Sequence, residues 1–148
     1  MKKWDHRFID LAAFVAAWSK DPSTKVGAVI AKDRQIISLG FNGFPPGMAD
    51  DDRLFDREMK LQMILHAEDN ALSFAGANAK GCAIYTWPMP PCAGCAAKIA
   101  RAGIIRVVAP AANDGQIERW RKSFDLAESI YKEAGIDFKS IARTRKRD

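Results

Sequence analysis

Apolar residues recur at Trp4, Phe8, Leu11, Ala12 and Val15, three or four apart, and this spacing predicts an amphipathic helix over roughly 4–19. The stretch Asp21-Pro22-Ser23-Thr24 ends it. Val26 to Ala31 is an apolar run of strand length, Lys32 to Gln35 a polar turn, and Ile36 to Phe41 a second strand, so the pair predicts a β-hairpin. Asn42 to Asp52 holds two glycines, two prolines and three successive aspartates, and reads as a loop. Helical spacing returns over 54–75, in two pieces that meet near His66. Cys82 to Trp87 is a third strand, stopped by Pro88, Pro90 and Pro91. A helix follows over 93–102 with Gly103 as its stop, then a strand over 104–109, a helix over 117–134 ended by Gly135, and a short strand over 137–142. Strand and helix alternate from residue 82 onward, which implies parallel crossovers with helices packed on the sheet. The expected fold class is α/β: one domain, with a mixed five-stranded sheet flanked by helices.

Composition narrows the setting. A chain of 148 residues, 48% hydrophobic and 28% charged, fits one soluble domain with a real core. No apolar run approaches the ~20 residues that span a bilayer. Charges at Asp5, Arg7 and Asp10 interrupt any secretory signal, so the expected location is cytoplasmic and no membrane partner is expected. Three cysteines in such a chain point to metal binding or packing instead of a disulfide framework. The net charge of +5 is uneven. The tail at 143–148 carries four basic residues and one acid, which leaves 19 basic and 17 acidic residues in 1–142. We therefore divide the chain into one globular domain at 1–142 and a basic tail at 143–148, and read the tail as a solvated terminus.

Two short stretches carry the chemistry: His66-Ala67-Glu68 and Pro91-Cys92-Ala93-Gly94-Cys95. Cys92 and Cys95 are three apart, so on the first turn of a helix their sulfurs share a face. Pro91 suits a helix start, and the helix N-terminus lowers thiol pKa values toward the thiolates that a metal needs. His66 supplies a third ligand. One imidazole and two thiolates leave the fourth tetrahedral position open for water, as catalytic zinc requires. Two thiolates cancel the 2+ charge, so a nearby carboxylate must help move the water's proton, and Glu68 is the candidate. Because Glu68 stands only two residues from His66, the expectation is that His66 lies in the first turn of its helix. A lone Cys-x-x-Cys could also be a redox pair or half of a structural zinc site. The spare ligands for a structural site would be His6, read here as a surface residue, and Cys82, read as a core residue.

H-x-E followed by P-C-x-x-C is the pattern of zinc-dependent nucleobase deaminases. The chain resembles the deoxycytidylate (dCMP) deaminases of the cytidine/deoxycytidylate deaminase superfamily from about Trp4 to Gly135. Beyond the metal motif the likeness includes Ser19 to Ala28, Gly40-Phe41-Asn42-Gly43-Phe44-Pro45 and Asp56-Arg57-Glu58. A second, structural zinc found in some relatives has too few Cys and His residues here. The resemblance implies the cytidine-deaminase-like α/β/α sandwich and hydrolysis of dCMP to dUMP and ammonia, a step that supplies the precursor of dTMP. Glu68 would protonate N3 and then the leaving ammonia. The backbone around Ala67 would meet the pyrimidine edge, Asn42 the 3′-hydroxyl, Val26 the base or sugar, and the loop from Trp87 to Pro91 would form a wall.

A nucleotide substrate needs a phosphate site, for which Ser23, Thr24 and Lys25 are the candidates. The resemblance also implies a hexamer, activated by dCTP and inhibited by dTTP near Gly40, Phe41, Asn42 and Gly43. There Asp50, Asp51 and Asp52 could help hold a Mg²⁺-triphosphate, though solvated loop acids are the plainer reading. Two other classes stay open. One is a tRNA or single-stranded DNA deaminase with the tail on the backbone, which the modest charge of 1–142 disfavours. The other is a non-catalytic, zinc-containing nucleotide-binding protein, which would have no use for Glu68.

Overall fold

The computed structural model describes residues 2–142, so the basic tail at 143–148 lies outside the described residues. In chain order the elements are α1 (Lys2–Ala16), β1 (Gly27–Lys32), β2 (Gln35–Phe41), α2 (Arg57–Met63), α3 (Ala67–Ala75), β3 (Ala83–Trp87), α4 (Ala93–Arg101), β4 (Arg106–Pro110), α5 (Asp114–Ala134) and β5 (Asp137–Ile141). Short 3-10 turns stand at Asp52–Phe55 and Gly76–Ala79. One five-stranded sheet runs in the order β2-β1-β3-β4-β5. β1 is antiparallel to both β2 and β3, and β3, β4 and β5 are parallel to one another. The hairpin, the parallel crossovers and the mixed α/β/α architecture are as expected.

Side-chain alternation along β1 separates the two faces of the sheet. Val29 and Ala31 point into one cluster with Phe8, Ile9 and Ala12 of α1. Ala28 and Ile30 point into the other, with Ala67, Ala71 and Ala75 of α3, Ala96 and Ile99 of α4, and Ala127 and Tyr131 of α5. A strand covered on both sides has no polar face to show, which is why 26–31 is a continuous apolar run.

Two glycines let helices touch the sheet backbone. A β-carbon at Gly27 would collide with the carbonyl of Ala12 and stand 2.8 Å from the Ala16 nitrogen of α1. At Gly40 it would collide with the carbonyl of Ala67 and stand 2.6 Å from the Ala71 nitrogen of α3. Leu65 and Gly43 then exchange two backbone hydrogen bonds, Leu65 N–H to Gly43 O at 2.8 Å and Gly43 N–H to Leu65 O at 3.1 Å. That bridge interrupts the helical run after Met63 and makes His66 the cap of a new helix.

Several boundaries differ from the sequence reading. α1 stops at Ala16, because Trp18 and Ser19 donate back three residues instead of four, to Val15 and Ala16. β4 starts at Arg106 instead of 104. α5 starts at Asp114, not Ile117: Asn113 and Gln116 form a capping box, a polar signal invisible to apolar periodicity. Among the described residues no helix is long and apolar enough to cross a membrane.

Gly40→Ala is expected to destabilise the fold by ~1–3 kcal/mol, since α3 must move off the sheet. Urea unfolding measures this, and an unchanged midpoint would remove the close approach as a constraint.

Candidate active site

Two helix starts face one another on the α3–α4–α5 side of the sheet. His66 is the N-cap of α3 and Cys92 the N-cap of α4, with Cys95 in the first turn of α4. His66 thus stands one step ahead of the first turn where the sequence reading put it. Pro91, fully buried, precedes the cap and directs the chain into α4. Neither cap side chain bonds its own helix, which leaves both free for another partner. The Ala93 N–H at the start of α4 is taken instead by Ser123 Oγ of α5, at 2.9 Å.

The ligand atoms of His66, Cys92 and Cys95 lie within 4.8 Å of one another, the one such His/Cys/Asp/Glu group among the described residues. His66 Nδ1 is 3.2 Å from Cys95 Sγ and 3.6 Å from Cys92 Sγ. Tetrahedral zinc with ordinary Zn–N and Zn–S lengths sets such atoms about 3.5 Å apart, so the donor set and its spacing fit zinc. Cys82 is elsewhere, buried in the core with its thiol donating to Asn78 O. His6 stands on α1, across the sheet. The acids Asp50, Asp51 and Asp52 form no comparable group; Asp51 pairs with Arg53 and caps the 3-10 turn.

Charge at the site follows from who donates to whom. The Cys95 thiol, and then His66, hydrogen-bond Cys92 and hold its pKa down to about 4. Cys95, as donor and deeply buried near Glu68, is pushed up. The bond with Cys92 raises His66 against the opposing effect of burial, and the Glu68 carboxylate adds to the rise. Glu68 is only 4% exposed, and that burial raises its pKa against hydrogen bonding from Cys95 and the charge of His66. A carboxyl so placed holds a proton more readily than a solvated one.

An open cleft of about 840 Å³, mouth included, leads to this centre. His66, Ala67, Glu68 and Cys92 form its floor. The back wall is Asp21, Ser23, Thr24, Val26 and Asn42. The structure brings Ser23, Thr24, Val26, Asn42 and Ala67, all candidates from the sequence, to the lining of one cleft. Lys25, Trp87 and Pro91 are not part of its lining. Lys25 is exposed, and Trp87 packs in the α1 layer because strand alternation turns it to that face. The 87–91 loop still contributes a wall, through Met89 and Pro90.

Asn42 is 7% exposed and its amide is mostly used within the protein. Its Oδ1 accepts from Val26 N–H at 2.9 Å, and its Nδ2 donates to Thr24 O at 2.9 Å and Asp21 Oδ2 at 3.4 Å. One lone pair of Oδ1 is left. The other residues of that loop are scaffold contacts: Gly40 admits α3, Phe41 O accepts from Asn70 Nδ2 at 2.8 Å, and Gly43 bridges Leu65.

Two further walls were not anticipated. Arg57, Lys60, Leu61 and Ile64 come from one face of α2, and Arg119, Trp120 and Phe124 from α5. Lys60 is buried, donating to Asp21 Oδ1 at 3.0 Å and Ser23 Oγ at 3.2 Å. In the sequence it looks like any lysine of a solvated helix face. Only the i, i+3, i+4, i+7 spacing of 57, 60, 61 and 64 could have marked a common face.

The family model of the cytidine and deoxycytidylate deaminase zinc-binding region matches residues 2–111. An uncharacterized deaminase in the luxG 3′ region of Aliivibrio fischeri is 42% identical over 137 residues, 93% of this chain and 92% of that protein. The deoxycytidylate deaminase of Mus musculus is 33% identical over 149 residues, 94% of this chain and 80% of that protein. Among solved structures, the dCMP deaminase of cyanophage S-TIM5, in complex with dCMP and dUMP, has the same fold. It aligns at a TM-score of 0.73 and 21% identity, covering 95% of this chain and 98% of that one.

The ligand and proton roles separate by mutation. Glu68→Gln is expected to keep one zinc per chain and lose at least ~10²-fold in turnover. His66→Ala, Cys92→Ser and Cys95→Ser are each expected to lose zinc by elemental analysis. Full zinc in all three variants would refute the ligand set, and near-normal turnover of Glu68→Gln would refute its proton role.

Proposed function

The chain belongs to the cytidine and deoxycytidylate deaminase family, and from that premise we infer that its cleft hydrolyses dCMP to dUMP and ammonia. The observation that carries this reading is a buried carboxyl, Glu68, hydrogen-bonded to Cys95 beside His66 and Cys92 at the floor of an open cleft. His66, Cys92 and Cys95 would hold zinc, whose Lewis acidity supplies a water nucleophile near neutral pH. Glu68 accepts the first proton that the nucleophilic water gives up and passes it to N3; as the new C4–O bond becomes a carbonyl, it takes the remaining hydroxyl proton and hands it to the amino group, so the C4–N bond breaks and ammonia leaves. Burial makes the charged carboxylate less favoured than it is in water, which suits Glu68 to picking up the water's proton.

The remaining contacts follow from donor and acceptor counts. The Ala67 N–H is in the first turn of α3 and has no partner within the helix, so it donates to the cytosine O2. The free lone pair of Asn42 Oδ1 accepts the 3′-hydroxyl, so the amide acts toward the sugar as an acceptor only. Val26 packs against the base or sugar. Ser23 and Thr24 offer hydroxyls to the phosphate, with Lys25 beside them in sequence. From the same family resemblance we carry a dCTP activator, a dTTP inhibitor, a Mg²⁺ ion and a hexamer, which dCTP titration and sedimentation test.

An ammonia-release assay compares deoxycytidine, dCMP, dCTP and a cytosine-containing oligonucleotide. dCMP is expected to be the best substrate, with or without residues 143–148. Oligonucleotide deamination that depends on the tail and falls steeply with salt, beside negligible activity on dCMP, would replace this reading with a polynucleotide deaminase. No deamination of any of them by the zinc-loaded protein would leave the non-catalytic alternative.

A further inference from the structure

Six charged or ionisable side chains outside the cysteines line the cleft: Asp21, Arg57, Lys60, His66, Glu68 and Arg119. Asp21 and Lys60 neutralise each other in a buried pair, with side chains 7% and 5% exposed. His66 and Glu68 belong to the metal centre. What remains is Arg57 and Arg119, two guanidinium groups that make no hydrogen bond or ion pair within the described residues. They come from different helices, Arg57 from the first turn of α2 and Arg119 from α5, and both line this cleft. Their immediate company on those helices is apolar: Leu61 and Ile64 on one, Trp120 and Phe124 on the other. Among these walls the two fixed positive charges have no counter-ion of their own.

We propose that Arg57 and Arg119 are a clamp for the 5′-phosphate, and that this pair makes the cleft select a nucleoside monophosphate. The inference rests on the deaminase reading above and adds the residues that set its substrate class. A phosphate monoester carries about −1.5 to −2 charges at pH 7, which two guanidinium groups balance. Each guanidinium presents a planar fork of N–H donors that meets two phosphate oxygens at once. Both arginines are exposed at the cleft, so a free nucleoside would leave them to solvent, and a triphosphate would bring more negative charge than the pair can balance. The third N–H of Lys60, whose other two are held by Asp21 and Ser23, adds a donor without adding net charge. Lys25, outside the lining, has no part in the clamp.

The test uses zinc-loaded protein in two readouts, kcat/KM for dCMP against deoxycytidine and calorimetric affinity for dUMP against deoxyuridine. Arg57→Gln and Arg119→Gln are each expected to lower kcat/KM for dCMP about ten- to a hundredfold while deoxycytidine changes by less than about twofold. Arg57→Lys and Arg119→Lys should recover part of the loss, because the charge returns without the fork. The double Gln variant should bind dUMP no better than deoxyuridine. A dUMP advantage that survives in the double variant overturns the clamp, as does a parallel loss for nucleotide and nucleoside, or a phosphate advantage abolished by Lys25→Ala and kept in both Arg variants. If the wild type fails to deaminate dCMP, the deaminase reading falls. The dUMP comparison needs no turnover and still decides the clamp: no dUMP advantage in the wild type overturns it, and an advantage lost in the double variant upholds it.

Discussion

The contact of α3 with β2 at Gly40 fixes everything that happens at the site. Backbone touches backbone there, with no side chain between them to give way. The alanines Ala67, Ala71 and Ala75 keep the helix flat against the sheet. With α3 pinned, its first residue has one place to stand, and the Gly43–Leu65 bridge sets the point at which the helix begins. His66 and Glu68 inherit their positions from these main-chain contacts. α4 is placed from the other side, by Ser123 of α5 at its first N–H. The metal position is where two independently anchored helix starts converge, so ligand geometry does not depend on flexible loops.

The cleft above it is held open by a buried polar network. Asp21 accepts from Ser23 N–H at 2.8 Å, from Lys60 Nζ and from Asn42 Nδ2. Ser19 Oγ ties in by donating to Asn42 O at 2.9 Å and accepting from Asp21 N–H at 3.1 Å. A buried ion pair contributes little net stability compared with packed apolar residues, but losing one partner costs several kcal/mol, ~3–5 in typical cases. Such a network suits position more than strength. It joins the loop before β1, the loop after β2 and the α2 wall through shared hydrogen bonds to Asp21 and Asn42.

The candidate metal centre was legible because its signals are local. Cys92 and Cys95 share a helix turn, His66 and Glu68 are two apart, and each spacing constrains geometry without knowledge of the rest. The strands were legible from unbroken apolar runs. The α2 and α5 walls were not, since Arg57, Lys60 and Arg119 sit on helices whose polar faces look solvated in sequence. Their convergence on one cleft is a tertiary fact. Trp87 misled for a related reason: a prominent aromatic in a proline-rich stretch reads as a wall, yet strand pairing turns it to the opposite layer and leaves Met89 and Pro90 at the cleft. Asn42 was legible as a site residue, but not as one whose amide also stitches the back wall together.

The family's zinc-binding region covers residues 2–111, and α5 begins at Asp114. The helix that contributes Arg119, Trp120 and Phe124 therefore stands outside the segment that carries the chemistry. Its inner residues are not free: Ser123 caps α4, while Ala127 and Tyr131 are core. What is left for change on that inner face is a narrow strip, 119, 120 and 124, facing the cleft. An evolutionary lineage could redraw that strip, and with it the menu of nucleotides admitted, while inheriting the reaction machinery unaltered. Divergence in substrate would then leave its record on one helix, in three positions that share the cleft with His66 and Cys92 but stand outside the His/Cys/Cys group itself.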